Sequence, residues 1–206
     1  MRRKAIIIDL DNTIYPVSSI GDRLFKTLFS IINASGEYTG DFNDVKTEIL
    51  RRPFQFVADE FLFSERLKAD GIKHLSNLTY DYKMQLFEDY NFVRTIPCKK
   101  YLVTTGFPKM QHSKIKQLGI ESDFEDIIII DPGESDLTKR DIFKKILSDN
   151  DYKIEEVLVV GDDLNSEIKA AKELGIFTVL YDYKREYTKI ENQVVISDFK
   201  DLQLYI

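Results

Sequence analysis

Lys4-Ala5-Ile6-Ile7-Ile8-Asp9-Leu10-Asp11-Asn12-Thr13-Ile14-Tyr15-Pro16 is the stretch around which the other residues of this 206-residue chain are arranged. Residues 5–10 are too continuously apolar for a strand with one wet face, and they predict a parallel strand buried on both sides. The strand delivers two carboxylates, Asp9 and Asp11, and Asn12, Thr13 and Pro16 mark the turn beyond it. In an open α/β sheet, ligands sit outside the carboxyl ends of the strands, which is where these acids fall. If the extended geometry persists, side chains at i and i+2 share a face, so Asp9 and Asp11 would look at one ligand. Two crowded acids repel each other, and a divalent cation relieves the repulsion. Asp11 and Asn12 are also common turn formers, so on these residues alone a plain turn stays open.

With 43% hydrophobic residues, the chain can build one good core or a core plus a small lid. No apolar stretch is long enough to span a membrane. Met1-Arg2-Arg3-Lys4 is basic but runs straight into the strand, unlike a signal peptide. The single Cys98 allows no internal disulfide and fits a reducing compartment. A net charge of −6 argues against a general nucleic-acid binder. The expectation is a soluble, cytoplasmic protein with neither nucleic acid nor membrane as partner. Nothing in the sequence gives its oligomeric state.

After Pro16 the period changes. Ile20, Leu24, Leu28, Ile31 and Ile32 recur at helical spacing, with Ser18 or Ser19 to cap the start and Gly36 to end the helix. Residues 42–50 predict a second helix with Val45 and Ile49 on one face. An aromatic-rich segment from Phe54 to Phe63 follows Pro53. A short helix is expected over 64–69, ended by Asp70-Gly71, and another over 79–90 with Tyr82 and Leu86 at i, i+4. Residues 17–90 therefore read as a helical cap inserted after the first strand, leaving 1–16 and 91–206 as the core.

From Tyr101 onward strands and helices alternate as in parallel α/β folds. Strands are predicted at 101–104, 127–130, 157–160, 177–180 and 194–196. Helices are predicted at 109–118, 138–147, 164–174 and 198–204. Thr138 and Asp141 have the spacing of a capping box. The fold class is α/β: a doubly wound, Rossmann-like parallel sheet with the first strand inside it.

Each strand end carries chemistry. The first offers Asp9 and Asp11, the second Thr104-Thr105-Gly106, and the strand near 157–160 offers Gly161-Asp162-Asp163 with Glu167 a turn further on. Lys139 opens the helix that Thr138 caps. Acids for a cation, a hydroxyl with backbone N–H groups for phosphate oxygens, and one amine suit phosphoryl transfer, where catalysis is mainly positioning and electrostatics.

In these motifs the chain resembles the haloacid dehalogenase-like hydrolase superfamily. The family's DxDx[TV] motif reads Asp9-Leu10-Asp11-Asn12-Thr13, its strand-ending Thr or Ser matches Thr104, and its Lys is best matched by Lys139. Its GDxxxx[DE] motif runs from Gly161 to Glu167, followed by Ala170-Ala171. The resemblance implies that Asp9 is the nucleophile, forming an aspartyl-phosphate, and that Asp11 is the general acid and then the base. It implies Mg²⁺ held by Asp9, the Asp11 carbonyl, Asp162 and waters. Thr104, Thr105 and Gly106 would hold phosphoryl oxygens, with Lys139 neutralising charge. An Asp at both positions of the first motif points to a phosphatase rather than a dehalogenase. The opening residues look like those of pyrimidine 5′-nucleotidase-type members, so a nucleoside monophosphate is a reasonable first substrate.

The chain departs from the family pattern at three places. Thr105 stands where Asn is common. Glu167 replaces the commoner Asp, reaching one methylene further, so it would support Lys139 or a metal-bound water, with Asp163 competing for the supporting role. Between Pro97 and Tyr101 there is no room for a helix that many relatives carry. Among residues outside the motifs, His112 and His74 read as surface or cap residues, Cys98 as a loop thiol, Arg51-Arg52 and Lys99-Lys100 as solvated charge, and the phenylalanines at 54–63 as the cap's own core. Two enzyme readings share this chemistry, a phosphatase and a phosphomutase. A receiver-like signalling module or a non-catalytic phosphate binder is the alternative from another class. The receiver expects adjacent acids at strand one, whereas here they alternate.

Overall fold

The computed structural model describes residues 2–187 and 189–206. Its centre is β1 (Ala5–Ile8), with all four side chains at most 1% exposed. Around it lie β2 (Lys99–Thr105), β3 (Asp126–Ile130), β4 (Val157–Gly161), β5 (Phe177–Tyr181) and β6 (Val194–Ile196). The sheet order is β3-β2-β1-β4-β5-β6, with every neighbouring pair parallel. The chain winds in both directions from β1, as expected. This order differs from the 2-1-3-4-5 winding of flavodoxin-like folds, which removes the topological basis for a receiver module.

Alternation along the strands explains the layers. Ala5, Ile7, Val157 and Val159 pack on one face with Phe143, Ile146 and Ala171. Ile6, Ile8, Leu158 and Val160 face the other way, toward Ile115 and Leu118 and the helices of the insertion. β3 is one of the two edge strands, so Ile127 to Ile129 are only half-buried where the sequence suggested full burial.

The insertion contains α1 (Gly21–Leu24), α2 (Lys26–Ser35), α3 (Phe42–Ile49), α4 (Phe54–Glu60) and α5 (Glu65–Leu75). No serine caps α1. Instead Val17–Ser19 forms a 3-10 turn, and Gly36 closes α2 at φ 61°. α5 is longer than expected, running through Asp70-Gly71 to Leu75. Ser64 caps it, accepting from Leu67 N at 3.1 Å. Gly71 is not a stop signal there. A Cβ at that position would lie 2.3 Å from Phe54 Cζ, so the glycine lets an aromatic ring lie against the helix.

The helix expected over 79–90 is absent. That segment is an irregular strap, and only α6 (Tyr90–Thr95) is helical. Tyr80 N donates to Ser113 Oγ at 2.8 Å and Phe87 N to Ile14 O at 3.0 Å, so the backbone is tied to the core rather than to itself. Tyr82, half of the i, i+4 pair that suggested a helix, is 57% exposed. Beyond α6 come α7 (Pro108–Leu118), α8 (Lys139–Asp149) and α9 (Glu167–Glu173), and the terminal segment Phe199–Leu204 is 3-10 rather than α. Among the described residues no helix is long and apolar enough to cross a membrane.

Candidate active site

β1 ends at Ile8, two residues earlier than predicted, and this decides where its acids point. Ile14 N donates to Leu10 O at 2.9 Å, and Asn12 adopts the left-handed φ of 57° that Asn tolerates. Asn12 Oδ1 then accepts from Val17 N at 3.1 Å. Because the chain curls, Asp9 and Asp11 do not share a strand face. Asp9 turns toward α8 and Asp11 toward α7, although both line one cavity of about 340 Å³.

Asp9 is met by Lys139. The capping box forms as expected: Thr138 Oγ1 accepts from Asp141 N, and Asp141 Oδ2 accepts from Thr138 N at 2.9 Å. This fixes Lys139 at the first position of α8. Its Nζ donates to Asp9 Oδ1 at 2.5 Å and to Glu167 Oε2 at 2.8 Å. Burial alone would lower the Lys139 pKa, but Asp9 and Glu167 outweigh it and hold the amine charged. Burial pushes Asp9 up to about 7 against the pull of Lys139, with Glu167 and Asp11 adding to the rise.

Glu167 is turned inward by its other oxygen, which accepts from Asp163 N at 2.7 Å. Gly161 makes room for it, since a Cβ there would lie 2.1 Å from Glu167 Oε1. The Asp163 carboxylate instead closes its own turn, accepting from Asn165 N at 2.7 Å. Of the two candidates for a supporting role, Glu167 is the one in contact with Lys139. Asp162 lines the cavity and accepts from Thr13 Oγ1 at 3.3 Å. Burial, with Glu167 and Asp9 nearby, raises its pKa well above the ordinary carboxylate range.

The Asp11 environment holds what sequence reasoning passed over. Lys114 Nζ donates to Asp11 Oδ1 at 2.9 Å, Gln111 Nε2 to Asp11 Oδ2 at 2.9 Å, and the Tyr15 hydroxyl also donates to Oδ1. Burial pushes Asp11 up, but Lys114 and these hydrogen bonds bring it below its usual pKa. A signal was present in the sequence. The buried face of α7 comprises Met110, Gln111, Lys114, Ile115 and Leu118, so two polar residues occupy positions where the helical period calls for apolar ones.

At the end of β2, Thr104 is buried and its Oγ1 accepts from Gln111 Nε2 at 2.7 Å. Thr105 and Gly106 also line the cavity. Gly106, expected to offer its N–H to a phosphoryl oxygen, has already donated it to Ile130 O at 2.8 Å. Among the residues outside the motifs, His112 is exposed, and Cys98 is half-buried in a separate groove near Arg2 and Lys100. Arg51 reaches the cavity wall but pairs with Glu48 at 3.0 Å, and Phe54 both lines the cavity and packs against Phe63.

The carboxylates of Asp9 and Glu167 thus share a single ammonium, with Asp162 close to both acids. Among the described residues no group of three or more His, Cys, Asp and Glu side chains forms a ready-made metal cage. The donors available are all hard oxygens, a set that fits a hard divalent cation retaining part of its water.

Comparison with known proteins agrees with this architecture. A model of the haloacid dehalogenase-like hydrolase family matches residues 3–175. A glyceraldehyde 3-phosphate phosphatase of Pyrococcus furiosus is 28% identical over 199 residues, covering 89% of this chain and 82% of that protein. A haloacid dehalogenase-like family hydrolase from Streptococcus pneumoniae superposes with a TM-score of 0.69 at 17% identity, covering 99% of each chain. A HAD-hydrolase of Bacillus subtilis, described as bound to magnesium, superposes with a TM-score of 0.68 at 16% identity, covering 99% of this chain and 98% of that one. The chain belongs to the haloacid dehalogenase-like hydrolases.

Proposed function

We propose that this hydrolase is a Mg²⁺-dependent phosphatase of small phosphate monoesters that works through a phosphorylated Asp9. The observation that carries the reading is Lys139 between Asp9 and Glu167. Among the hydrogen bonds of the described residues Asp9 is fixed through Oδ1, which leaves Oδ2 for an electrophile in the cavity. In the first half-reaction that oxygen attacks phosphorus, and Asp11 gives a proton to the departing oxygen. Asp11 is held ionised by Lys114, so this proton enters with the substrate, phosphate monoesters having a second pKa of about 6. In the second half Asp11, again a carboxylate, takes a proton from the water that attacks phosphorus and frees Asp9. Thr104 and Lys139 bind and neutralise the phosphoryl oxygens. Mg²⁺, held by Asp9, the Asp11 carbonyl, Asp162 and waters, would supply further charge neutralisation.

A cavity of about 340 Å³ is at the small end for ligand sites and suits a small metabolite. The helical cap, residues 17–90, contributes Phe54 and Gln55 to its wall and would discriminate among leaving groups. Glyceraldehyde 3-phosphate is the first substrate to try, because the archaeal relatives carry that name, and nucleoside monophosphates follow. The test is release of inorganic phosphate from a panel holding both, with and without Mg²⁺. Phosphate released from a small ester only with Mg²⁺ supports the reading. No release from any ester refutes it, and an isomeric product without free phosphate makes the protein a mutase.

A further inference from the structure

Gln111 is fully buried on α7, and its amide makes an unusual set of contacts. Nε2 lies 2.7 Å from Thr104 Oγ1 and 2.9 Å from Asp11 Oδ2, with Thr105 O a more distant acceptor at 3.5 Å, while Oε1 is buried with no partner. An amide nitrogen has two protons to give and no lone pair to accept with, and a carboxylate oxygen only accepts. Asp11 therefore fixes which way the amide faces, since the reverse orientation would set Oε1 against a carboxylate. With both amide protons given outward, Thr104 Oγ1 is an acceptor from Gln111. A hydroxyl has one proton, and that of Thr104 must then point away from Gln111, into the cavity that Thr104 lines.

Leaving Oε1 unpaired is unfavourable, and an apolar side chain of similar size would avoid it. The backbone accommodates this glutamine specifically: Gly106 has φ 151°, and a Cβ there would press on Gln111 Cγ and Cδ at 3.3 Å. We propose that Gln111 is a positioning residue whose amide, anchored on Asp11, commits the Thr104 hydroxyl to donate to a phosphoryl oxygen of the substrate. This rests on the phosphoryl-transfer reading above. With no exposed surface of its own, Gln111 would act through Thr104. It decides the polarity of that hydroxyl.

The experiment measures binding of inorganic phosphate, by the shift in Tm with Mg²⁺ present, alongside kcat and KM on 4-nitrophenyl phosphate. Gln111→Leu and the more adaptable Gln111→Met are each made alone, with Thr104→Ser and with Thr104→Val. In the parent and in Thr104→Ser, which keeps the hydroxyl, loss of the amide is expected to weaken phosphate binding about tenfold. In Thr104→Val there is no hydroxyl to orient, so the same change is expected to alter phosphate affinity less than about twofold. The parallel loss of Asp11 anchoring falls on kcat rather than on phosphate affinity. An equal loss in the Ser and Val backgrounds, or no loss in either, overturns the proposal. If the parent binds phosphate but never hydrolyses the aryl ester, the phosphatase reading fails while the binding comparison still decides the role of Gln111.

Discussion

Lys139 Nζ stands 2.5 Å from Asp9 Oδ1, with both side chains 8% exposed. An ammonium so placed holds the Asp9 carboxylate in a fixed direction and offsets the charge of the carboxylates around it. The same amine also serves Glu167 at 2.8 Å, and Asp162 lies close to both acids.

Lys139→Met leaves two buried carboxylates without their cation. Breaking a buried pair in this way costs about 3–5 kcal/mol. Urea denaturation of the metal-free protein is expected to show a loss of that order together with loss of turnover. A change below about 1 kcal/mol, the range of an exposed pair, would mean that the neighbouring acids simply take up protons.

Asp9→Asn removes the proposed nucleophile and keeps the shape of the side chain. Turnover is expected to vanish while circular dichroism stays native, and full activity in a folded variant ends the covalent mechanism. Asp11→Asn is expected to cost about 10²–10⁴-fold in kcat, the range for a general acid or base. A loss under about tenfold would take Asp11 out of that role.

The stability of the metal-free protein is expected to depend on pH through Asp9. Its folded pKa is raised from 3.8 to about 7 by burial, so between those values the folded state holds more protons than the unfolded one. The Asp9 contribution to stability therefore falls as pH rises through that window and levels off above it. Wild type is expected to lose Tm relative to Asp9→Asn between about pH 5 and about pH 8. A constant difference would show that Asp9 is ionised throughout.

Chelation is expected to suppress hydrolysis, and added Mg²⁺ to restore it. Ca²⁺ should restore little, given its longer bonds and looser coordination. Asp162→Ala should raise the Mg²⁺ concentration for half-maximal activity more than Glu167→Ala, because Glu167 spends both oxygens on Lys139 and Asp163 N. The opposite order would move the metal contact to Glu167.

Much of this protein is legible in its sequence. An unbroken Ala5-Ile6-Ile7-Ile8, short, rich in β-branched residues and followed by turn formers, favours a strand covered on both faces, and strand-helix alternation after Tyr101 points to a parallel, doubly wound sheet, since handedness leaves few other solutions. Asp9, Thr104, Asp162 and Lys139 could be gathered from sequence because a parallel sheet brings all its carboxyl ends to one edge. Tertiary structure alone decided the rest. That Asp9 and Asp11 part company depends on the curl after Ile8. That Thr79 to Phe87 is a strap depends on hydrogen bonds to Ser113 and Ile14, far away in sequence. That Gly106 N has no bond to spare depends on its register with β3. Gln111 and Lys114 stand out of place on the face that the helical period marks as apolar, but what they meet there is set only when α7 is laid against Asp11. Their meaning comes from a neighbour a hundred residues away, and no local pattern encodes such a contact.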